Sequence, residues 1–197
     1  MKTDDKITDL ISQNNGYLIT SQSAKNGISR QSVLNYSSQN NLERIAPGIY
    51  ITEQTWEDPM YVLQLRNPTI VFSHESALLL HGLTEKEPDN IVVSVQRGYN
   101  ATHLKQSGIS VHTIIKDNFS LGISEAKTFY GNSVRVYDKE RTVCDIIRNK
   151  QNMDIQVFNH AIKQYMRSKE KDIVRLSQYA RIFRISDKIH FYTEVLL

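Results

Sequence analysis

The ten residues Gly27-Ile28-Ser29-Arg30-Gln31-Ser32-Val33-Leu34-Asn35-Tyr36 most constrain what this chain can fold into. Gly27 can take the positive φ that ends one helix, and Ser29 can cap the next, so the stretch reads as a tight turn feeding a short helix. In that helix Val33 and Leu34 are expected to point one way, leaving Arg30, Gln31, Ser32, Asn35 and Tyr36 on the outer surface. Arg, Gln, Asn and Ser side chains can all hydrogen-bond base edges. The solvated face of an ordinary amphipathic helix would carry the same residue types, and the flanking elements decide between the two.

Those elements are short and follow closely. Asp4 to Gln13 predicts a first helix, with Ile7, Leu10 and Ile11 at three- and four-residue steps behind an acidic first turn, stopped by Asn14-Asn15-Gly16. Tyr17-Leu18-Ile19 is extended and apolar. Thr20 is placed to cap a second helix, Ser21 to Asn26, in which Ala24 is small enough to lie against a crossing helix. The third helix ends near Asn40-Asn41. Leu42 to Ile45 and Gly48 to Ile51 then flank Ala46-Pro47 as a hairpin. Three short helices and a hairpin in this order predict a winged helix-turn-helix over residues 1–56. Its third helix, from Ser29 to Tyr36, would enter the major groove. Lys25, Arg44 and the helix starts at Thr20, Ser21 and Ser29 would hold phosphates. A surface ion pair is the alternative for Arg44, and a half-buried core position the alternative for Tyr36.

Residues 57–197 predict a second, mixed α/β domain ending in helices, so the fold class expected is α+β; residues 57–90 can act as a helical connector. Thr52 to Pro59 reads as a link packed down by Trp56. Met60 to Leu65 is a short helix, Thr69 to Phe72 a strand, and Ser73-His74-Glu75-Ser76 the capping stretch of a helix running to His81 and ended by Gly82. Ile91 to Val95 and Ser110 to Ile115 are strands with a short helix, His103 to Gln106, between them. Thr128-Phe129-Tyr130 and Ser133 to Tyr137 flank a Gly131-Asn132 turn. Asp138 caps a helix over Lys139 to Asn149 that buries Val143, Cys144, Ile146 and Ile147, making Cys144 a core thiol rather than a nucleophile. Two more helices are expected, from about Asp154 to Arg167 and from Lys171 to Phe183.

Charge is uneven along the chain. Residues 101–197 carry sixteen basic and ten acidic side chains, against five and five in residues 1–53. Lys163, Arg167, Lys169, Lys171, Arg175, Arg181, Arg184 and Lys188 form a basic run opposed by only Glu170, Asp172 and Asp187, which suits a polyanion and suits a solvated surface equally. Tyr165 and Tyr179 within it could stack on bases. A single cysteine allows no intramolecular disulfide and fits a reducing cytoplasm. The start lacks an apolar signal core and the longest apolar cluster, Ala77 to Leu80, is too short for a bilayer, so neither secretion nor membrane insertion is expected. His74 and His81 lie seven residues apart, without the closer His pair of a zinc protease helix, and no phosphate loop or nucleophile elbow is present; no metal or cofactor is expected.

Three segments taken in order carry a resemblance: Arg44-Ile45-Ala46-Pro47-Gly48-Ile49-Tyr50, Phe72 to Leu83, and Val136 to Asp145. Together with the N-terminal pattern they resemble the AbiE-system antitoxins of bacteria, over nearly the whole chain. The resemblance implies a type IV antitoxin of an abortive-infection, phage-resistance system that is also a transcriptional autorepressor, binding inverted repeats in its promoter through the N-terminal domain. It implies a cognate nucleotidyltransferase-like toxin as a functional partner, countered without a stable complex. It supplies no catalytic residue, and the paired aspartates of a nucleotidyltransferase are missing from this chain.

Two other classes stay open on the residues alone. In one, a metal-dependent nuclease, Asp117 and Glu125-x-Lys127 would gather around a strand at Thr128 to Tyr130 and bind Mg²⁺. In the other, the basic C-terminal run makes the second domain an RNA- or protein-binding module.

Overall fold

The computed structural model describes residues 3–196, which divide into two compact units: residues 3–66 with 128–132, and residues 67–127 with 133–196. Among them the chain is mixed α and β, with eleven α-helices and two sheets.

The first unit runs α1 (Thr3–Gln13), β1 (Tyr17–Ile19), α2 (Thr20–Lys25), α3 (Arg30–Gln39), β2 (Glu43–Ala46), β3 (Ile49–Ile51) and α4 (Pro59–Arg66). Its sheet is antiparallel in the order β1-β3-β2, with Leu18 opposite Tyr50 and a register shift between Arg44 and Ala46. The three-residue strands are buried on both faces, and period-two alternation sorts their side chains. Leu18 and Tyr50 join Ile7, Ile11, Ile28 and Val33 on one side; Tyr17, Ile19, Ile49 and Ile51 join Val62 on the other. A glycine is needed at position 16, at φ +87°, because a Cβ there would lie 1.8 Å from Thr55 Oγ1. Asp58, 1% exposed, accepts from Thr128 Oγ1 (2.6 Å) and Asn132 Nδ2 (2.8 Å), which satisfies its buried carboxylate.

The second unit has a five-stranded mixed sheet and a helical layer. Its elements are β4 (Val71–Phe72), α5 (His74–Leu80), β5 (Val92–Gln96), α6 (Thr102–Gln106), β6 (Ser110–Ile114), α7 (Lys116–Phe119), β7 (Ile123–Lys127), β8 (Ser133–Tyr137), α8 (Lys139–Asn149), α9 (Ile155–Arg167), α10 (Ile173–Ile182) and α11 (Ser186–Leu196). Strand order is β6-β5-β4-β8-β7, in which β5 pairs β6 and β4 pairs β8 in parallel while the other neighbours are antiparallel. Asp138 caps α8 by accepting from the Arg141 N–H, as the sequence predicts. Val143, Cys144, Ile146 and Ile147 of α8 pack with Phe158, Ile162 and Tyr165 of α9, Leu176 of α10 and Ile189 of α11. Burial pushes the Cys144 thiol up to about 12, as a core thiol requires.

Several local expectations change. Helix α2 begins at Thr20, so Ile19 is its cap and the Thr20 hydroxyl caps nothing. Ser23, bonded to the Ile19 carbonyl, is the small buried residue of α2, and Ala24 is exposed. Trp56 is 79% exposed, and its carbonyl accepts from the Tyr17 hydroxyl. The hairpin before α8 pairs Ile123–Lys127 with β8, so Thr128 to Tyr130 is loop and not strand. Its polar, exposed residues at Ser124 and Glu125 hid β7 from an apolar pattern. Helix α11 lies in a segment for which no helix was expected, and the expected ends at Asp154, Lys171 and Phe183 shift by one or two residues.

Candidate nucleic-acid interface

The turn that presents α3 is built as the sequence suggests. Gly27 takes φ +74° with nothing within 4 Å of an added Cβ, so conformation alone makes it glycine. Ile28 is buried behind it, and Ser29 Oγ accepts from the Ser32 N–H at 3.0 Å. Helix α3 then buries Val33 and Ser37. Leu34 does not join Val33: the inner positions are four residues apart, and Leu34 is left 38% exposed on the outside.

That geometry sorts the expected DNA contacts. Arg30, Gln31 and Asn35 are exposed on α3, and Gln31 Nε2 lies 2.8 Å from Asn35 Oδ1, a bond between side chains one turn apart. Of the expected base readers Ser32 is half-buried and its hydroxyl bonds that of Ser29 at 2.9 Å, while Ser29, expected at a phosphate, caps the helix. Tyr36 is half-buried beside Ile7 and Val33 and its hydroxyl is 2.9 Å from Thr8 Oγ1, so it anchors α3 to α1. Thr20 is half-buried and its N–H donates to the Gly48 carbonyl, while the Ser32 N–H is engaged by Ser29; the two helix starts therefore offer fewer open donors than expected. Ser21 and Lys25 are exposed on α2, and Arg44 is exposed on the outer strand β2. Arg30, Lys25 and Arg44 form no ion pair among the described residues.

In the second unit the basic run divides. Lys163, Arg167, Lys169, Arg181, Arg184 and Lys188 are exposed. Lys171 is half-buried with Nζ on the Ser168 carbonyl, and Arg175 faces Asp172 at 3.5 Å. Tyr165 and Tyr179 cannot stack on bases: both are buried, donating to Glu140 Oε1 (3.0 Å) and Asp138 Oδ2 (2.9 Å), and burial raises both phenols. Asp117 sits on α7 and Glu125 and Lys127 on β7, where Glu125 lies opposite Arg135. No group of three His, Cys, Asp or Glu among the described residues could hold a metal ion.

Two polar features of this unit were not legible in the sequence. His74, at φ +49°, stacks on His112 with ring centroids 3.7 Å apart, and Ser73 Oγ links His74 Nδ1 to Ser94. Burial holds the His74 imidazole well below its ordinary value, with His112, Arg141 and Arg148 acting the same way. His112 also lines a cleft of about 460 Å³ with Glu75, Asn90 and Asn149, in which Lys86 and Asp154 pair at 2.7 Å. Burial pushes the Glu75 carboxyl up. The second feature is Arg141, fully buried, paired with Asp145 at 2.9 Å and lying between the Tyr137 and Phe183 rings.

No family model matches the sequence, and no curated protein matches it. The fold is similar to the crystal structure of RV2827C protein from Mycobacterium tuberculosis, with a TM-score of 0.54 at 12% identity, across 92% of this chain and 72% of that one. At that identity the likeness concerns the fold alone. No helix among the described residues is long and apolar enough to cross a membrane.

Proposed function

We propose that the chain is a sequence-specific DNA-binding regulator whose first unit acts as a winged helix-turn-helix, with α3 as the reading helix and β2–β3 as the wing. The observation that carries this reading is the outer face of α3: Arg30, Gln31 and Asn35 stand exposed on a helix held from behind by Ile28, Val33 and Tyr36 and capped by Ser29. A rigid short helix with base-reading side chains outward is what major-groove docking requires. Lys25 and Arg44 would neutralise phosphates.

Combined with the resemblance to AbiE-system antitoxins, this makes the chain a cytoplasmic autorepressor of its own operon, reading inverted repeats. The second unit would counter a nucleotidyltransferase toxin without a stable complex, and its six exposed basic side chains, which form no ion pair among the described residues, are the surface for that step. Promoter binding is tested by a salt-titrated gel shift on the upstream promoter and on scrambled DNA, with wild type beside Arg30→Ala. Promoter-selective binding that the substitution weakens supports the reading; equal weak binding to both DNAs removes it. The antitoxin step is tested by co-expression: rescue from the neighbouring toxin should survive Arg30→Ala and fail when Lys163, Arg167 and Arg181 are replaced together.

A further inference from the structure

The outer face of α3 carries more information than a set of polar residues. Ser29 and Ser32 are bonded to each other and Tyr36 to Thr8, while Arg30, Gln31, Leu34 and Asn35 are exposed along the first two turns of α3, with Ser38 and Gln39 exposed after them. The Gln31–Asn35 bond at 2.8 Å joins one amide nitrogen to one amide oxygen. Whichever way the two amides are turned, that bond leaves one carbonyl oxygen and one NH₂ group of the pair unused. It offers one acceptor and one donor.

In the major groove only adenine shows a donor beside an acceptor on one base, N6–H and N7. Guanine shows two acceptors, which would leave the unused carbonyl unpaired, and a desolvated unpaired acceptor is costly. Leu34 lies between the pair along the helix, three residues after Gln31 and one before Asn35, and is 38% exposed where the fold has an inner position for Val33. An apolar side chain amid polar readers matches the thymine C5-methyl, the apolar group of the major-groove edge.

Resting on the DNA-binding reading above, we infer that Gln31 and Asn35 act together on one adenine, and that Leu34 packs on an adjacent thymine methyl, so each half-site carries an A·T step under α3. Because the two amides are held to each other, they act as a unit: Gln31→Ala and Asn35→Ala each lose the adenine preference, and the double substitution loses little more.

The experiment is selection of duplexes from a random library by the full chain, followed by gel shifts on the selected site with single-atom changes. Replacing the contacted adenine by 7-deaza-adenine, which removes N7 and keeps N6–H, should weaken wild-type binding by about 2- to 12-fold, the worth of one hydrogen bond, and should leave Asn35→Ala unaffected. Replacing the thymine by uracil should weaken wild type about 4-fold, the worth of one buried methyl, and should leave Leu34→Ala unaffected. Far-ultraviolet circular dichroism confirms that each variant is folded. A selected site indifferent to both base changes overturns the A·T assignment while sequence-specific binding stands. If no site is enriched, the DNA-binding reading itself fails and takes this inference with it.

Discussion

Helices α3 and α8 begin alike and end up in opposite surroundings. Each is started by a capping side chain that accepts from the N–H three residues on, Ser29 from Ser32 and Asp138 from Arg141, and each is rich in polar residues. In α3 most polar residues face solvent, Ser37 being the buried one, and Gln31 pairs with Asn35 on the outer face. In α8 Glu140, Arg141, Thr142 and Asp145 are buried; Asp145 is paired within the helix, by Arg141 and Arg148, and the other three also find partners on other elements. Arg141 donates to the Asn118 and Leu121 carbonyls as well as to Asp145, and Glu140 accepts from Tyr165 and from the Asp172 N–H. A polar helix is therefore a surface in one unit and a scaffold for packing in the other. What separates them is whether neighbouring elements supply acceptors and donors.

The largest test of that contrast is Arg141→Met. It leaves Asp145 buried without its closest cation and should cost about 3–5 kcal/mol, seen as a lower urea midpoint. Adding Asp145→Leu should recover much of the loss, since the cost lies in the unpaired charge.

The second test is pH. The folded His74 and His112 are both held below 6.5, the first by burial and the neighbouring His112, Arg141 and Arg148, the second by burial and Arg148. The unfolded chain takes up these protons first, so the stability they contribute is full above 6.5 and declines as pH falls below it. Urea midpoints at about pH 7.5 and about pH 5.5 should differ in that direction. His74→Asn keeps a residue that tolerates positive φ and should reduce the slope.

On the exposed face of α3 the same logic predicts binding effects without folding effects, and at its cap a folding effect. Arg30→Ala should cost about 1–3 kcal/mol on the promoter and little on random DNA. Equal losses on both would make Arg30 a phosphate contact. Ser29→Ala removes the cap and should lower stability by about 1 kcal/mol in thermal or urea unfolding. The smallest effect expected is that of Arg30→Ala on stability, within about 0.5 kcal/mol, because its side chain is exposed.

Local chemistry determined much of this protein before any contact was known. Gly27, Ser29 and Asp138 each specify a backbone event within four residues, and the order α1-β1-α2-α3-β2-β3 follows from such signals together with the spacing of Ile7, Leu10 and Ile11. The exposure of Arg30, Gln31 and Asn35 was legible for the same reason. Only the tertiary structure decided which polar and apolar side chains are occupied. It turned Leu34 outward, drew Tyr36 to Thr8, and buried Tyr165 and Tyr179 on carboxylates. It paired the exposed strand β7 with β8, stacked His74 on His112, and enclosed Arg141 between two rings. Partners tens of residues away leave no local pattern, because a hydrogen bond or ring contact depends on distance in space and periodicity records only distance along the chain.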